Sequence, residues 1–460
     1  MKAYSFSRKP VQVPLSETPH RQIKTCIPCE GTEVVLRELE RYESRSMQGQ
    51  LPLVWDRAEG YNIFDGAGNK WIDFTSTIFV TNVGHGNRRV AAIMQEVLDK
   101  PLLHSYAYVN NYRLKYLKEL LAFTGGHFEK AFLLSAGTEA TEAALKLMRM
   151  YGQKKGKRRV GIICIEGNWH GRTMGAQMMS SHTVQKNWIG HQDPYIHFIP
   201  FPYPWTPGSN SGVAFLNQSL KKIEGEGLSL KKDICGFMLE TFQGWGAIFY
   251  PKEYVQAIEG CCRENDILLA FDEMQSGFAR TGKRFGYEHY ECRPDLICCG
   301  KGMGSGVPLS GVLGAAEIMD IPEVGNMSST HSANPLACAA GLATLDEIQK
   351  NDLVNESARK GVLLHAELRR LKEKYPVDIS YVLGKGMIAS ILFQVPSTGK
   401  PNAIMASRVS EKCMQKGLLV VHTGRESIKI GPPLIIPDDA LIEGVGVLDE
   451  SICEALAEKK

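Results

Sequence analysis

From Phe128 onward the chain repeats one pattern, a short apolar run followed by a longer helical or loop stretch. The runs are KAFLLS, RVGIICIEG, ICGFMLETF, ILLAFDE, DLICCGK and GVLGAA, each of strand length. They are nearly continuous in apolar residues, which suits strands covered on both faces. After the first run, TEATEAALKLMRMYG sets Ala140, Ala143, Ala144, Leu147 and Tyr151 on one helical stripe, a surface able to supply such cover. The alternation predicts an α/β fold: a mostly parallel sheet flanked by helices, with ligands at the carboxyl ends of its strands.

Two of those ends carry complementary chemistry. ILLAFDE delivers Asp272 and DLICCGK delivers Lys301 among glycines, with the glycine-broken QSGFARTG between them. Alone, Asp272 reads as a helix or turn cap and Lys301 as a solvated lysine in a flexible loop. On neighbouring strand ends they meet two needs of pyridoxal phosphate. One is an amine for a Schiff base; the other is an anion that keeps the pyridine nitrogen protonated, so that the ring accepts electrons. Asp272 and Lys301 are the candidate catalytic pair.

Composition narrows the field. The 460 residues are 43% hydrophobic and 22% charged, enough for one large domain and one smaller. A formal net charge of +3 without a basic stripe argues against nucleic acid as a partner. No apolar run approaches the ~20 residues of a membrane span. MKAYSFSRKPVQVP lacks the apolar centre of a secretory signal. Among 12 scattered cysteines, Cys164, Cys235, Cys298 and Cys299 fall inside apolar runs and read as reduced core thiols of a cytoplasmic protein. Cys26 and Cys29 form a CxxC with no second pair at zinc spacing, so no metal is expected.

FDEMQSGFARTG, PDLICCGKGMGSGVPL and HSANPLACAAGLATLDEI, in that order, resemble the signatures of the class III aminotransferases. That is a fold type I pyridoxal-phosphate family which includes the ornithine and 4-aminobutyrate enzymes. Further matches run from about Trp55 to the C-terminus. The resemblance implies a large cofactor-binding domain over 87–345 with a mostly parallel seven-stranded sheet. It implies a smaller α+β domain drawn from 31–86 and 346–460, behind an extended arm over 1–30.

The resemblance also assigns roles. SAGTEA lies at a strand-to-helix turn, where free amides bind phosphate and a glycine lets the backbone approach. Gly137 and Thr138 are the candidate cradle, with Ala136 where the family commonly has serine. Trp169 matches the aromatic of an aromatic-His-Gly-Arg motif and would stack on the ring; Arg172 matches the position that grips a remote carboxylate in the 4-aminobutyrate relatives. Glu240, in ETFQGWG, would buttress the cofactor region, and Gln275 would bond its phenolic oxygen. Thr330, in MSSTHSANP, matches a threonine that reaches the phosphate from the partner subunit, which implies a homodimer.

Two positions depart from the pattern. Many relatives hold an α-carboxylate with an arginine shortly before a Pro-Pro pair, balanced by a glutamate in a QGEGG-like segment. Here those are Lys429, in IKIGPPL, and Trp245, in QGWGA. Independent drift and a remodelled pocket are both open; in the second, Arg425 of HTGRES reaches in instead and Phe79 narrows the mouth. Arg172, Lys429, Arg425, Trp245 and Phe79 are the candidate substrate residues. The implied activity is ping-pong transfer of an amino group from an amino acid or amine to a keto acid or aldehyde. A racemase or epimerase on the same scaffold is the alternative and a decarboxylating transaminase a third; no motif separates them.

Outside the sheet region, GTEVVLRELERYESRS places Val34, Val35, Leu39 and Tyr42 at helical spacing behind a cap at Thr32. LVWDRAEGYNIFDGAGNKWIDF reads as hairpins turning at Glu59-Gly60 and Gly66-Ala67-Gly68-Asn69. The tail reads helix (DLVNESARKGVLLHAELRRLKEKY), strand (MIASILFQV), helix, strand (SIKIGPPLII) and a capped helix from Asp438.

Overall fold

The computed structural model describes residues 4–209 and 211–458. They fall into two compact units. The larger holds residues 88–244 and 248–354; the smaller holds the chain up to 87, residues 245–247, and everything from 355.

The larger unit is built on seven strands: β1 (Lys130–Leu134), β2 (Gly161–Ile165), β3 (Ile196–Ile199), β4 (Ile234–Glu240), β5 (Leu268–Asp272), β6 (Leu296–Cys299) and β7 (Ser310–Gly314). Their order across the sheet is β1-β7-β6-β5-β4-β2-β3. Only β7 runs antiparallel to its neighbours; the remaining pairs are parallel. Every residue of β2, β4, β5 and β6 is buried. Successive side chains point to opposite faces, so both faces are covered, as the apolar runs require. Each fully buried Leu, Ile or Phe contributes about 1.5–3 kcal/mol. The strand missed in the sequence is β3, whose IHFI is only half-buried at the sheet edge and so gives a weak apolar signal.

The helix Gly137–Lys154 packs on this sheet. Its Ala140, Ala143, Ala144 and Leu147 meet Cys164, Met238, Ala270 and Cys298 in one core. The helix Pro335–Lys350 starts at Pro335 behind Asn334, whose side chain accepts from the amides of Leu336 and Ala337. It packs against the helices Arg88–Asp99 and Asn111–Phe123. Gly341 permits this approach, since a Cβ there would lie 2.6 Å from Tyr116 Cε2.

In the smaller unit, Trp55–Glu59, Asn62–Asp65 and Lys70–Asp73 form the expected antiparallel hairpins. Leu418–Leu419 joins them parallel to Lys70–Asp73, so the two chain ends share one sheet. Buried Trp71 donates its indole N–H to the Met414 carbonyl at 2.7 Å. A second, antiparallel sheet holds Ile379–Lys385, Ile388–Phe393, Ser427–Ile430 and Val421–His422. Its first strand was not read from the sequence, because most of its residues are half-buried and no apolar run marks it.

Two local expectations are corrected. The helix Thr32–Tyr42 forms, but its N-cap is Gly31 in a left-handed conformation, not Thr32. Val34, Leu39 and Tyr42 are exposed at 65%, 45% and 79% instead of facing a core within this chain. The last helix does begin at Asp438, but no side chain caps it. The Asp438 carboxylate takes Arg359 through two bonds of 2.7 and 2.9 Å instead. Among the described residues no helix is long and apolar enough to cross a membrane.

Candidate active site

Strand β5 lies between β4 and β6, and its register sets Asp272 level with Glu240 on one side and Cys298 on the other. Lys301 follows β6 by two residues and opens a short turn with φ +46°, a left-handed conformation unusual for a lysine. Such strain persists where the surroundings over-determine it, often at functional sites. Burial lowers the pKa of the Lys301 amine, an effect partly offset by the nearby Asp272 and Glu240 carboxylates. A lowered pKa favours the neutral amine, the nucleophilic form.

Asp272 is held from both sides. Its Oδ1 accepts from the Met274 amide at 3.0 Å, and its Oδ2 lies 2.9 Å from His170 Nδ1. A carboxylate only accepts, so His170 donates from Nδ1. The His170 backbone is itself anchored: its amide donates to Ser180 Oγ at 2.8 Å, and its carbonyl accepts from Thr141 Oγ1 at 2.8 Å. The neighbouring Glu273 is fully buried. It accepts from Thr241 Oγ1, Ser276 Oγ and the amides of Gly286 and Tyr287 at 2.6–2.8 Å, fastening the loop after β5.

The helix Gly137–Lys154 starts just past β1. Glu139 turns back to accept from the Ser135 and Ala136 amides at 2.9 and 2.8 Å, which leaves the Gly137 and Thr138 amides at the positive end of the helix. Thr138 Oγ1 also shares a 2.6 Å bond with Thr173 Oγ1. One thioether ties this end to the lysine end. A Cβ at Gly137 would lie 2.8 Å from Met274 Sδ, and one at Gly300 would lie 2.6 Å from the same sulfur. Both glycines make room for Met274.

Glu240 Oε2 accepts from the amides of Trp169 at 3.1 Å and Gly244 at 3.3 Å. A Cβ on Gly244 would strike Gln275 Nε2 and approach Glu240 Oε1, so these three residues are in close contact. Arg172 is exposed and lies 4.7 Å from the centre of the Trp169 ring. Thr330 is exposed, and its carbonyl accepts from His104 Nε2 at 2.9 Å.

The remaining candidates belong to the smaller unit, where they form two cation–aromatic pairs. Lys429 Nζ lies 4.6 Å from the Phe79 ring, and the Arg425 guanidinium 3.7 Å from the Trp245 ring. Phe79 ends a run of four non-glycine residues, Ser76 to Phe79, with φ between 45° and 66°. Sequence reasoning quoted His170 inside a motif without a role and passed over Met274 and Glu273. The residue type of His170, two positions before Arg172, was the one available signal.

An amine, a buried carboxylate, helix-end amides and an indole are the donor set that pyridoxal phosphate needs. Residues 44–452 match the family model described as Aminotransferase class-III. The chain is a class III aminotransferase. It is 32% identical over 424 residues to the mitochondrial acetylornithine aminotransferase of Candida glabrata, covering 90% of this chain and 94% of that one. It is 31% identical over 407 residues to a probable 4-aminobutyrate aminotransferase of Bacillus subtilis, covering 86% and 92%. Among solved structures, the ornithine aminotransferase of Toxoplasma gondii superposes with a TM-score of 0.82 at 25% identity, over 94% of this chain and 97% of that one. Class III aminotransferases are fold type I enzymes that use pyridoxal phosphate to move amino groups between small molecules. Nothing in these relatives supports the racemase alternative.

Proposed function

We propose that Lys301 is the residue that carries the cofactor and that Asp272, oriented by His170, keeps its pyridine nitrogen protonated. The observation that carries this is the placement of a lysine with a lowered pKa and a buried carboxylate on adjacent strand ends. Pyridoxal phosphate supplies the electron sink for the pair left when a bond at the substrate carbon breaks. The Lys301 amine, kept near neutral by burial, would serve as the base and acid for a proton at the substrate α-carbon. The Gly137 and Thr138 amides would receive the phosphate, Trp169 would cover a ring face, and Gln275 would hydrogen-bond the phenolic oxygen. Glu240 holds the Trp169 and Gly244 amides in place.

The larger unit is read as the cofactor-binding domain, and Phe79, Trp245, Arg425 and Lys429 are the smaller unit's substrate candidates. Arg172 is the further candidate for a remote carboxylate. The donors are amino acids or amines and the acceptors keto acids or aldehydes, in keeping with the relatives' names. The working form is a homodimer in which Thr330 serves the partner's site, consistent with its exposure in the chain. A cytoplasmic location goes with twelve free thiols, most of them buried.

The test mixes the yellow holoenzyme with glutamate, alanine, 4-aminobutyrate or ornithine, one at a time. The yellow absorbance is lost with a true donor and returns on adding a keto acid. Borohydride reduction followed by digestion then locates the pyridoxyl mass. A label on any peptide lacking Lys301 overturns the assignment.

A further inference from the structure

Beside the carboxyl ends of β2 and β3, under the segment 178–193, lies a cavity of about 460 Å³ that none of the residues above explains. That is the size of a small-molecule site. Two opposite charges line it without meeting. Lys186 is half-buried over the Phe198 ring at 4.5 Å, and among the described residues its ammonium hydrogen-bonds the Met178 carbonyl alone, at 3.5 Å. Burial lowers its pKa, and no carboxylate among the described residues pairs with it. Glu166, just past β2, is exposed and uses its backbone to bind Ile199 and Gln243; its carboxylate has no protein partner among the described residues. The other acid in the lining, Asp193, is already neutralised by Arg149 at 2.7 Å. The lining also carries the apolar Met178, Ile189, Ile196 and Phe198 beside the polar Ser181, Thr183, His191 and Gln192.

A lone cation, a lone anion and apolar side chains in one concavity define their ligand. We propose that this cavity is a second binding site, taking a zwitterionic α-amino acid with an apolar side chain. Lys186 receives the carboxylate, Glu166 the ammonium, and the Met178–Phe198 wall the side chain. A ligand with one charge forgoes the contact with either Lys186 or Glu166, so it binds more weakly.

The titration is run on borohydride-reduced holoenzyme, where the cofactor is fixed and no amino acid can react at Lys301. Calorimetry with L-leucine is expected to give one saturable site per chain. Isovalerate and isopentylamine, which each keep one charge, bind at least tenfold more weakly. Lys186→Met and Glu166→Gln each weaken leucine binding at least tenfold, and Thr183→Trp, which fills the cavity from its rim, abolishes it. The proposal is overturned by no saturable uptake of leucine, by equal affinity in the charge variants, or by isovalerate binding as tightly as leucine.

Discussion

His170 Nδ1 stands 2.9 Å from Asp272 Oδ2, with both side chains buried, so one ring nitrogen fixes the orientation of the carboxylate. Asp272 keeps its other oxygen on the Met274 amide, and rotation away from both donors would strand a charge in the interior. His170 is thus a positioning residue, acting on the cofactor through Asp272.

His170→Ala should therefore weaken pyridoxal phosphate binding roughly tenfold, about 1.4 kcal/mol, read by equilibrium dialysis. Denaturant unfolding should show a loss of about 1–3 kcal/mol from the carboxylate left without its donor. His170→Asn retains an N–H donor and should lose less on both measures. Equal losses for Ala and Asn would sink the positioning role.

Lys301 ties stability to pH in the cofactor-free protein. Its folded pKa lies below the unfolded value, so between the two the unfolded chain binds the extra proton. Stability then rises with pH across that window and falls as pH drops through the folded pKa. Lys301→Met removes the group that sheds a proton on burial; its melting temperature at pH 7 should exceed that of the cofactor-free parent, with a flatter profile up to pH 10. A parent profile without the rise contradicts this.

Met274 should couple two distant glycines. Gly300→Ala or Gly137→Ala drives a methyl into the Met274 thioether, and each should cost about 1–3 kcal/mol by overpacking. Adding Met274→Ala should recover at least ~0.5 kcal/mol of that loss as a coupling term in a double-mutant cycle. Strict additivity would show that the sulfur is not the obstacle.

Glu273 makes four hydrogen bonds and has no solvent to replace them. Glu273→Gln keeps the shape but turns an N–H₂ toward donors, and should destabilise by about 1–3 kcal/mol. Denaturant unfolding measures the loss. Pyridoxal phosphate affinity should change less than in His170→Ala, because Glu273 fastens the loop and not the Asp272 carboxylate.

Much of the fold was legible because its cause is local. The runs that became β2, β4, β5 and β6 are apolar on both faces, and only a sheet covered on both sides satisfies that pattern. Where burial is partial the signal fades, which is why β3 and Ile379–Lys385 went unread. The helix Thr32–Tyr42 shows the converse. Its spacing specified a helix correctly, yet Val34 and Tyr42 stand exposed, because periodicity identifies an apolar face without identifying what it packs on.

The order of residues alone determined a parallel-rich α/β sheet and an acid and a lysine at its strand ends, since strand period and chain direction are written in neighbouring positions. Tertiary structure decided what those residues face. His170 reaches Asp272 from 102 positions away, Met274 lies against both Gly137 and Gly300, and Phe79 covers Lys429. Contacts of that kind depend on how separate segments pack, and no local repeat in the chain encodes them.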